Sequence, residues 1–243
     1  VRNTRASRTM ITQDAIEAAR ADALAELPVR MPAIALFAHK WLQSGHTAHA
    51  CFAWKLMELS GWLQVHKPKT IVELGSGLTT AVFCNYFKAN EYGELNSDCR
   101  FISVEEDLGQ IVYMRANLPM PYVEFVHAER IDFKLGGVEA CRYNLKLPIA
   151  DKIDLLYVDG PNCTIDGKTH RLGVDAAAFA EQASKPRSIM FDMRFAAMQY
   201  FSIDCDWKKH YDCLASAAVA AKLAGVPWYL SGMRHHDIFQ DHN

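Results

Sequence analysis

The chain lacks any uninterrupted apolar run near the ~18 residues that a membrane span requires, so no membrane partner is expected. Its Arg-rich start is not followed by an apolar h-region, so no signal peptide is expected either. The seven cysteines are odd in number and scattered, and none form a CxxC pair. They read as reduced thiols of a cytoplasmic protein, not as a disulfide framework or a zinc site. Neither sign of charge is in large excess: 26 Lys and Arg stand against 28 Asp and Glu, a formal net charge of −2. That balance provides no broad basic field and argues against nucleic acid as a partner. Internal repeats, low-complexity tracts and interdomain linkers are absent as well. Val1 is not Met and the first methionine is Met10, so residues 1–9 stand outside the fold reasoning.

Half of the 243 residues are hydrophobic, enough for one large α/β domain with or without a helical extension. Thr12 reads as an N-cap before a helix over Gln13–Leu27, whose Ile16, Ala19, Ala23 and Leu27 share a face. Pro28 and Pro32 break that pattern, and residues 28–46 read as a connector. A second helix carries Phe52, Leu56, Leu59 and Leu63 on one stripe; Trp54 and Trp62, two turns apart, read as core or rim. The expected division is an N-terminal arm and helical extension over residues 1–46 and a ligand-binding domain over residues 47–243.

The most informative segment is Thr70-Ile71-Val72-Glu73-Leu74-Gly75-Ser76-Gly77-Leu78-Thr79-Thr80. A run of branched apolar residues reads as a buried strand. Gly75 and Gly77 allow a tight turn and a close backbone approach by a ligand. Leu78, Val82 and Tyr86 then recur at helical spacing. Strand, glycine turn and helix N-terminus form a nucleotide-cofactor cradle. Glu73 is an acid inside the apolar run, and Thr80 stands where a GxGxxG fingerprint needs a third small residue. Further strands read over Phe101-Ile102-Ser103-Val104-Glu105, Tyr122-Val123-Glu124-Phe125-Val126, Ile153-Asp154-Leu155-Leu156-Tyr157-Val158 and Ser188-Ile189-Met190-Phe191-Asp192. Between them, Asp107 caps a helix through Leu118, residues 129–150 read as a short helix and a loop, and Val174–Ser184 reads as an alanine-rich helix. A helix is expected over 212–224, and Trp228-Tyr229-Leu230 begins a last strand toward Phe239.

The Glu73–Gly77 segment resembles motif I of class I S-adenosylmethionine (SAM) dependent methyltransferases, and the resemblance spans roughly residues 48–240. It implies a doubly wound, mostly parallel seven-stranded sheet with an N-terminal helical extension. The implied cofactor is SAM and the implied reaction is methyl transfer to a small-molecule acceptor. Glu73, Gly75, Ser76, Gly77 and Thr79 would form the cofactor turn. The Val104–Asp107 run is similar to motif II, with Glu105 in the ribose role and Glu106 beside it. His127, Ala128 and Glu129 would approach the adenine. Asp159, opening the Asp159-Gly160-Pro161 turn, would face both cofactor and acceptor, with Asp192 as the second catalytic candidate.

His170, Arg171 and Arg194 are the candidate substrate contacts; Arg194 offers a donor fork for an anionic acceptor. Catechol-type O-methyltransferases hold a divalent ion with an Asp after strand four and an Asp-Asn pair after strand five. Asp159 fits the first, but Met193 and Arg194 follow Asp192, so no catalytic metal is expected. His235-His236-Asp237 and His242 do not read as a metal site, because adjacent strand residues point to opposite faces.

Each of these residues also has a structural reading. The glycine turn would serve as a plain strand–helix connection, Glu105 as a helix cap, Asp159 as the cap of the Gly-Pro turn, and His170 and Arg171 as local structure. Two further functions stay open: a methyltransferase-fold protein using a related nucleotide cofactor for other chemistry, and a non-catalytic SAM-binding protein. A second copy of the chain also stays open as a partner.

Overall fold

In the computed structural model, the described residues are 25–45, 53–90, 99–118, 122–145, 152–165, 169–181, 186–192, 197, 200, 211–214 and 236–241. Five strands build the parallel centre of the main sheet: β1 Thr70–Leu74, β2 Arg100–Glu105, β3 Glu124–His127, β6 Leu155–Val158 and β10 Ser188–Asp192. Every residue of β1, β6 and β10 is buried. Their near-continuous apolar sequence is what a parallel strand covered on both faces requires. β12 His236–Asp241 runs antiparallel beside β10, and β11 Tyr211–Leu214 antiparallel beside β12. The order across the sheet is β11-β12-β10-β6-β1-β2-β3. From β1 the chain winds outward through β2 and β3, then crosses back to β6 on the other side. The carboxyl ends of β1 and β6 therefore flank the switch point, where the loops diverge and open a crevice.

Side chains alternate across this sheet. Ile71, Phe101, Leu155, Tyr157 and Met190 share one core cluster with helices α1 Pro32–Gln43, α2 Ala53–His66, α3 Leu78–Ala89 and α4 Leu108–Asn117. Val72, Leu74, Ile102, Val104, Leu156, Val158, Ile189 and Phe191 form the opposite cluster with α5 Asp175–Ala180. Leu56, Leu59 and Leu63 of α2 are fully enclosed. Each such leucine contributes roughly 1.5–3 kcal/mol by leaving water, which is why this helix lies against the sheet despite carrying a lysine and a glutamate among its buried residues.

Several expectations are corrected. The connector expected over 28–46 is mostly helix. Residues 25–30 remain helical through Pro28, and Pro32 sits in the first turn of α1. A proline there gives up an N–H that has no intrahelical partner anyway. Ile34, Phe37, Ala38 and Trp41 then bury one face of α1. The short helix and loop expected in 129–150 are instead a hairpin of β4 Arg130–Leu135 and β5 Val138–Tyr143. Gly136 and Gly137 turn it with φ of 57° and 88°, the left-handed pair that a tight hairpin favours. β5 also pairs with β9 Leu172–Gly173, giving a small three-stranded sheet. Around His170, β7 Thr164–Ile165 pairs with β8 Thr169–His170. Residues 211–214, where the helix expected over 212–224 would begin, are β11. Its cross-strand pairing with β12 decides the conformation of so short a segment. The rest of that expected helix, the Gln13–Leu27 helix before residue 25, and residues 228–230 lie outside the described residues.

Among the described residues no helix is long and apolar enough to cross a membrane. Cys84, Cys99, Cys141 and Cys163 are not in disulfides.

Candidate functional site

The glycine turn is built around Glu73. It points to the α2–α3 face of β1 and is fully buried. Thr79 and Thr80, in the first turn of α3, donate their hydroxyls to its carboxyl oxygens at 2.6 Å each. Ser103, the partner of Glu73 in β2, donates a third at 2.6 Å. Burial pushes this carboxyl up to about 8, against the pull of the three hydroxyls, with the charge of Asp159 adding to the rise.

The turn itself is held from two sides. Gly75 has φ 94°, and a side chain there would meet the backbone nitrogen of Gly160 at 2.9 Å. The Gly75 and Asp159–Gly160 turns thus pack backbone against backbone at the switch point. The Ser76 N–H donates to Glu105 Oε2 at 2.8 Å, and the Gly77 N–H donates to Thr80 Oγ1 at 2.8 Å. Gln110 Nε2 reaches Ser76 O at 3.2 Å. Among the described residues, the space around Gly77 is open except for Trp41 of α1, whose ring lies 4.0 Å from where a side chain would begin. Trp41 packs with Phe37 and Tyr113 at ring separations of 6.0 and 5.7 Å.

Glu105 ends β2, buried. Besides Ser76, it accepts the N–H groups of Glu106 and Asp107 at 2.8 and 2.9 Å. Of the roughly four acceptor positions of a carboxylate, these three contacts occupy three. Burial nonetheless raises its carboxyl, with these backbone donors pulling the other way. Glu106 takes the Asn162 N–H at 3.0 Å and faces Arg130 at 3.8 Å, tying the loop after Pro161 to the end of β2. His127 and Ala128 follow directly: His127 pairs with Glu105 across the strands, its ring meets Glu106 O at 3.1 Å, and Ala128 N–H donates to Glu105 O at 3.0 Å.

At the other side of the switch point, Asp159 and Asp192 follow β6 and end β10 on the Tyr157–Met190 face. Between them comes Lys55 of α2, a buried residue that the sequence did not single out. Its ammonium is in ion-pair contact with Asp192 and 4.0 Å from Asp159. Burial alone would lower Lys55; Asp159 and Asp192 outweigh it and hold the ammonium above its ordinary value. The buried Tyr157 hydroxyl is driven well up, first by burial and then by the charges of Asp192 and Asp159, and it bonds to Asp192.

The structure thus brings Glu73, Gly75, Ser76, Gly77, Thr79, Glu105, Glu106, His127, Ala128, Asp159 and Asp192 to the carboxyl ends of adjacent strands. Arg171 is not brought there: it pairs with Asp132 of the hairpin at 3.0 Å. His170 lies in β8, and Arg194 is outside the described residues. Lys55, Trp41, Ser103 and Gln110 were missed. Only Trp41 left a trace in the sequence, the Ile34–Phe37–Trp41 spacing of an amphipathic helix. A separate cavity of about 190 Å³ lies at the opposite, amino end of the strands, lined by Trp62, His66, Lys67, Lys69, Asp154 and Arg187 among others. It contains none of the sequence-derived candidates. No group of three or more metal-ligating side chains occurs among the described residues.

No protein-family model matches the chain, and no curated protein matches it. Among solved structures, it is similar to one described as "a putative O-methyltransferase from Klebsiella pneumoniae", at 16% identity and a TM-score of 0.46, covering 72% of this chain and 73% of that one. A likeness of that size is too slight to assign an activity.

Proposed function

We propose that the chain is a SAM-dependent methyltransferase acting on a small-molecule acceptor, with the class I methyltransferase type of doubly wound fold. One observation carries the reading: the turn after β1 has the shape of a nucleotide-cofactor cradle but has already given two of its anion-binding donors to side chains of the chain itself. Ser76 N–H is given to Glu105 and Gly77 N–H to Thr80. A dinucleotide needs such N–H groups at the helix N-terminus for its pyrophosphate. SAM has no phosphate and carries a sulfonium charge. The carboxylates of Glu105, Glu106, Asp159 and Asp192 outnumber the ammonium of Lys55 and the guanidinium of Arg130 beside Glu106, so the local field suits a cation.

The residues present fit such a group. Gly75 lets the turn approach Gly160 closely, and the open space beside Gly77 leaves room against the backbone. Glu105 keeps one acceptor position for a ribose hydroxyl, with Glu106 adjacent. His127 and Ala128 border the adenine side. When bound, SAM supplies an activated methyl group that an acceptor displaces in line with the departing sulfur. The chain's own work is orientation and charge control. Asp159, half-buried at the mouth, aligns the acceptor or takes its proton. Asp192 lies behind it, bonded to Lys55 and Tyr157.

Titration calorimetry with SAM, S-adenosylhomocysteine and NAD tests the reading. Binding of the first two, with NAD far weaker, is expected. Binding of NAD alone overturns it.

A further inference from the structure

Asp159 and Asp192 leave neighbouring parallel strands on the same face of the sheet, and their carboxylates converge on one point. Such a convergence is a cation site by its chemistry: hard oxygen ligands of like charge, one of them shielded from bulk water. The point is taken by the ammonium of Lys55, which reaches it from α2, in contact with Asp192 and 4.0 Å from Asp159. The lysine side chain is 8% exposed and Asp192 2%. An ammonium this deeply buried persists only where carboxylates compensate its lost hydration.

We propose that Lys55 is the resident cation of this two-carboxylate site: it positions Asp159 toward the acceptor and excludes divalent metal ions from the carboxylate pair. The positioning half rests on the methyltransferase reading. The cation half does not. The arrangement has a built-in logic. Glu73, Asp159 and Asp192 all face α2, and without a cation the two aspartates repel one another. Tyr157 can bond Asp192 but brings no positive charge. Lys55 offsets one of the two charges from one side, leaving the side of Asp159 that faces the crevice available to an acceptor. A divalent ion would need the same oxygens and the same space, so the two cations are mutually exclusive.

Manganese uptake, followed through the loss of the free-ion electron paramagnetic resonance signal, tests this without cofactor or acceptor. The samples are wild type, Lys55→Arg, Lys55→Gln, Lys55→Gln with Asp192→Asn, and Asp192→Asn, with folding checked by circular dichroism. Wild type and Lys55→Arg should take up no ion through Asp192. Lys55→Gln should take up one ion per chain, and adding Asp192→Asn should abolish it. Rescue of exclusion by arginine separates a cation's role from mere space filling. Uptake by wild type that Asp192→Asn abolishes overturns the proposal, as does a folded Lys55→Gln protein that takes up none. Lys55→Ala replaces Lys55→Gln if the latter does not fold, and the wild-type arm decides even if neither does. Failure here leaves SAM binding untouched, because calorimetry reads that separately.

Discussion

Two buried acids on one face of the same sheet are satisfied in opposite ways. Glu73 is surrounded by hydroxyls, three donors at 2.6 Å, and burial pushes it up to about 8. Asp192 is met by an ammonium and a phenol. The first solution is neutral, local and rigid: Thr79 and Thr80 come from the next turn of chain, and Ser103 from the adjacent strand. The second is ionic and long-range, with its counter-charge delivered by a helix that precedes the whole sheet. Hydroxyls tolerate either protonation state of the acid they surround, so Glu73 suits a turn that must keep its shape. An ion pair fixes charge, so Asp192 and Lys55 suit the place where the proposed methyl transfer would be steered.

Breaking the ionic member should have the largest effect. Lys55→Met leaves Asp192 buried without its cation, and we expect a loss of about 3–5 kcal/mol in unfolding free energy by urea titration. Adding Asp192→Leu removes the stranded charge and should recover a large part of that loss. If the double variant is no more stable than Lys55→Met, the pair is not what holds α2 at this point.

The neutral member is sharpened by pH. The carboxyl of Glu73 moves from an ordinary value of 4.5 to about 8 on folding, so protonation favours the fold. Its contribution is fully present below about pH 4.5 and is lost as pH rises through about 8. Inside that window the slope approaches roughly 1.4 kcal/mol per pH unit. Asp175, raised by burial to about 7, acts in the same direction. Glu73→Gln should remove the Glu73 share, flattening the fall in denaturation midpoint between pH 5 and 8 relative to wild type. An unchanged slope would mean that Glu73 stays ionised among its hydroxyls.

The smallest effect separates two of the glycines that take positive φ. Gly75→Ala combines φ 94° with a side chain 2.9 Å from Gly160 N, and should cost roughly 2–4 kcal/mol along with cofactor binding. Gly137→Ala meets nothing within 4 Å at φ 88° and should cost only the backbone share, ~1–2 kcal/mol, with binding intact. Thermal unfolding and calorimetry on both variants check this. Equal losses would mean that the contact between the Gly75 and Gly160 turns adds nothing.

Local chemistry made much of this protein legible in its sequence. Branched apolar runs closed by Glu73-Leu74-Gly75, Glu105, Asp159 and Asp192 marked the carboxyl ends of four parallel strands, because a strand covered on both faces is apolar along most of its length and these acids gather, mostly still buried, toward the end that opens onto the crevice. Asp107 before α4 was equally readable, and its side chain accepts from Gly109 at 2.7 Å. What escaped depended on partners far away in the chain. Pro28 and Pro32 look like breakers, yet Pro32 only opens α1, whose Ile34, Phe37 and Trp41 find their partners in the core. Residues 211–214 become a strand through their pairing with β12. The Gly136-Gly137 signal for a hairpin was present but weak, because the flanking strands lack a clean alternation and are half-buried along β4. Lys55 left no sign at all. A lysine on an apolar helix is ordinary in sequence, and only the tertiary structure could decide that its ammonium ends between Asp159 and Asp192, since charges find one another through space and not along the chain.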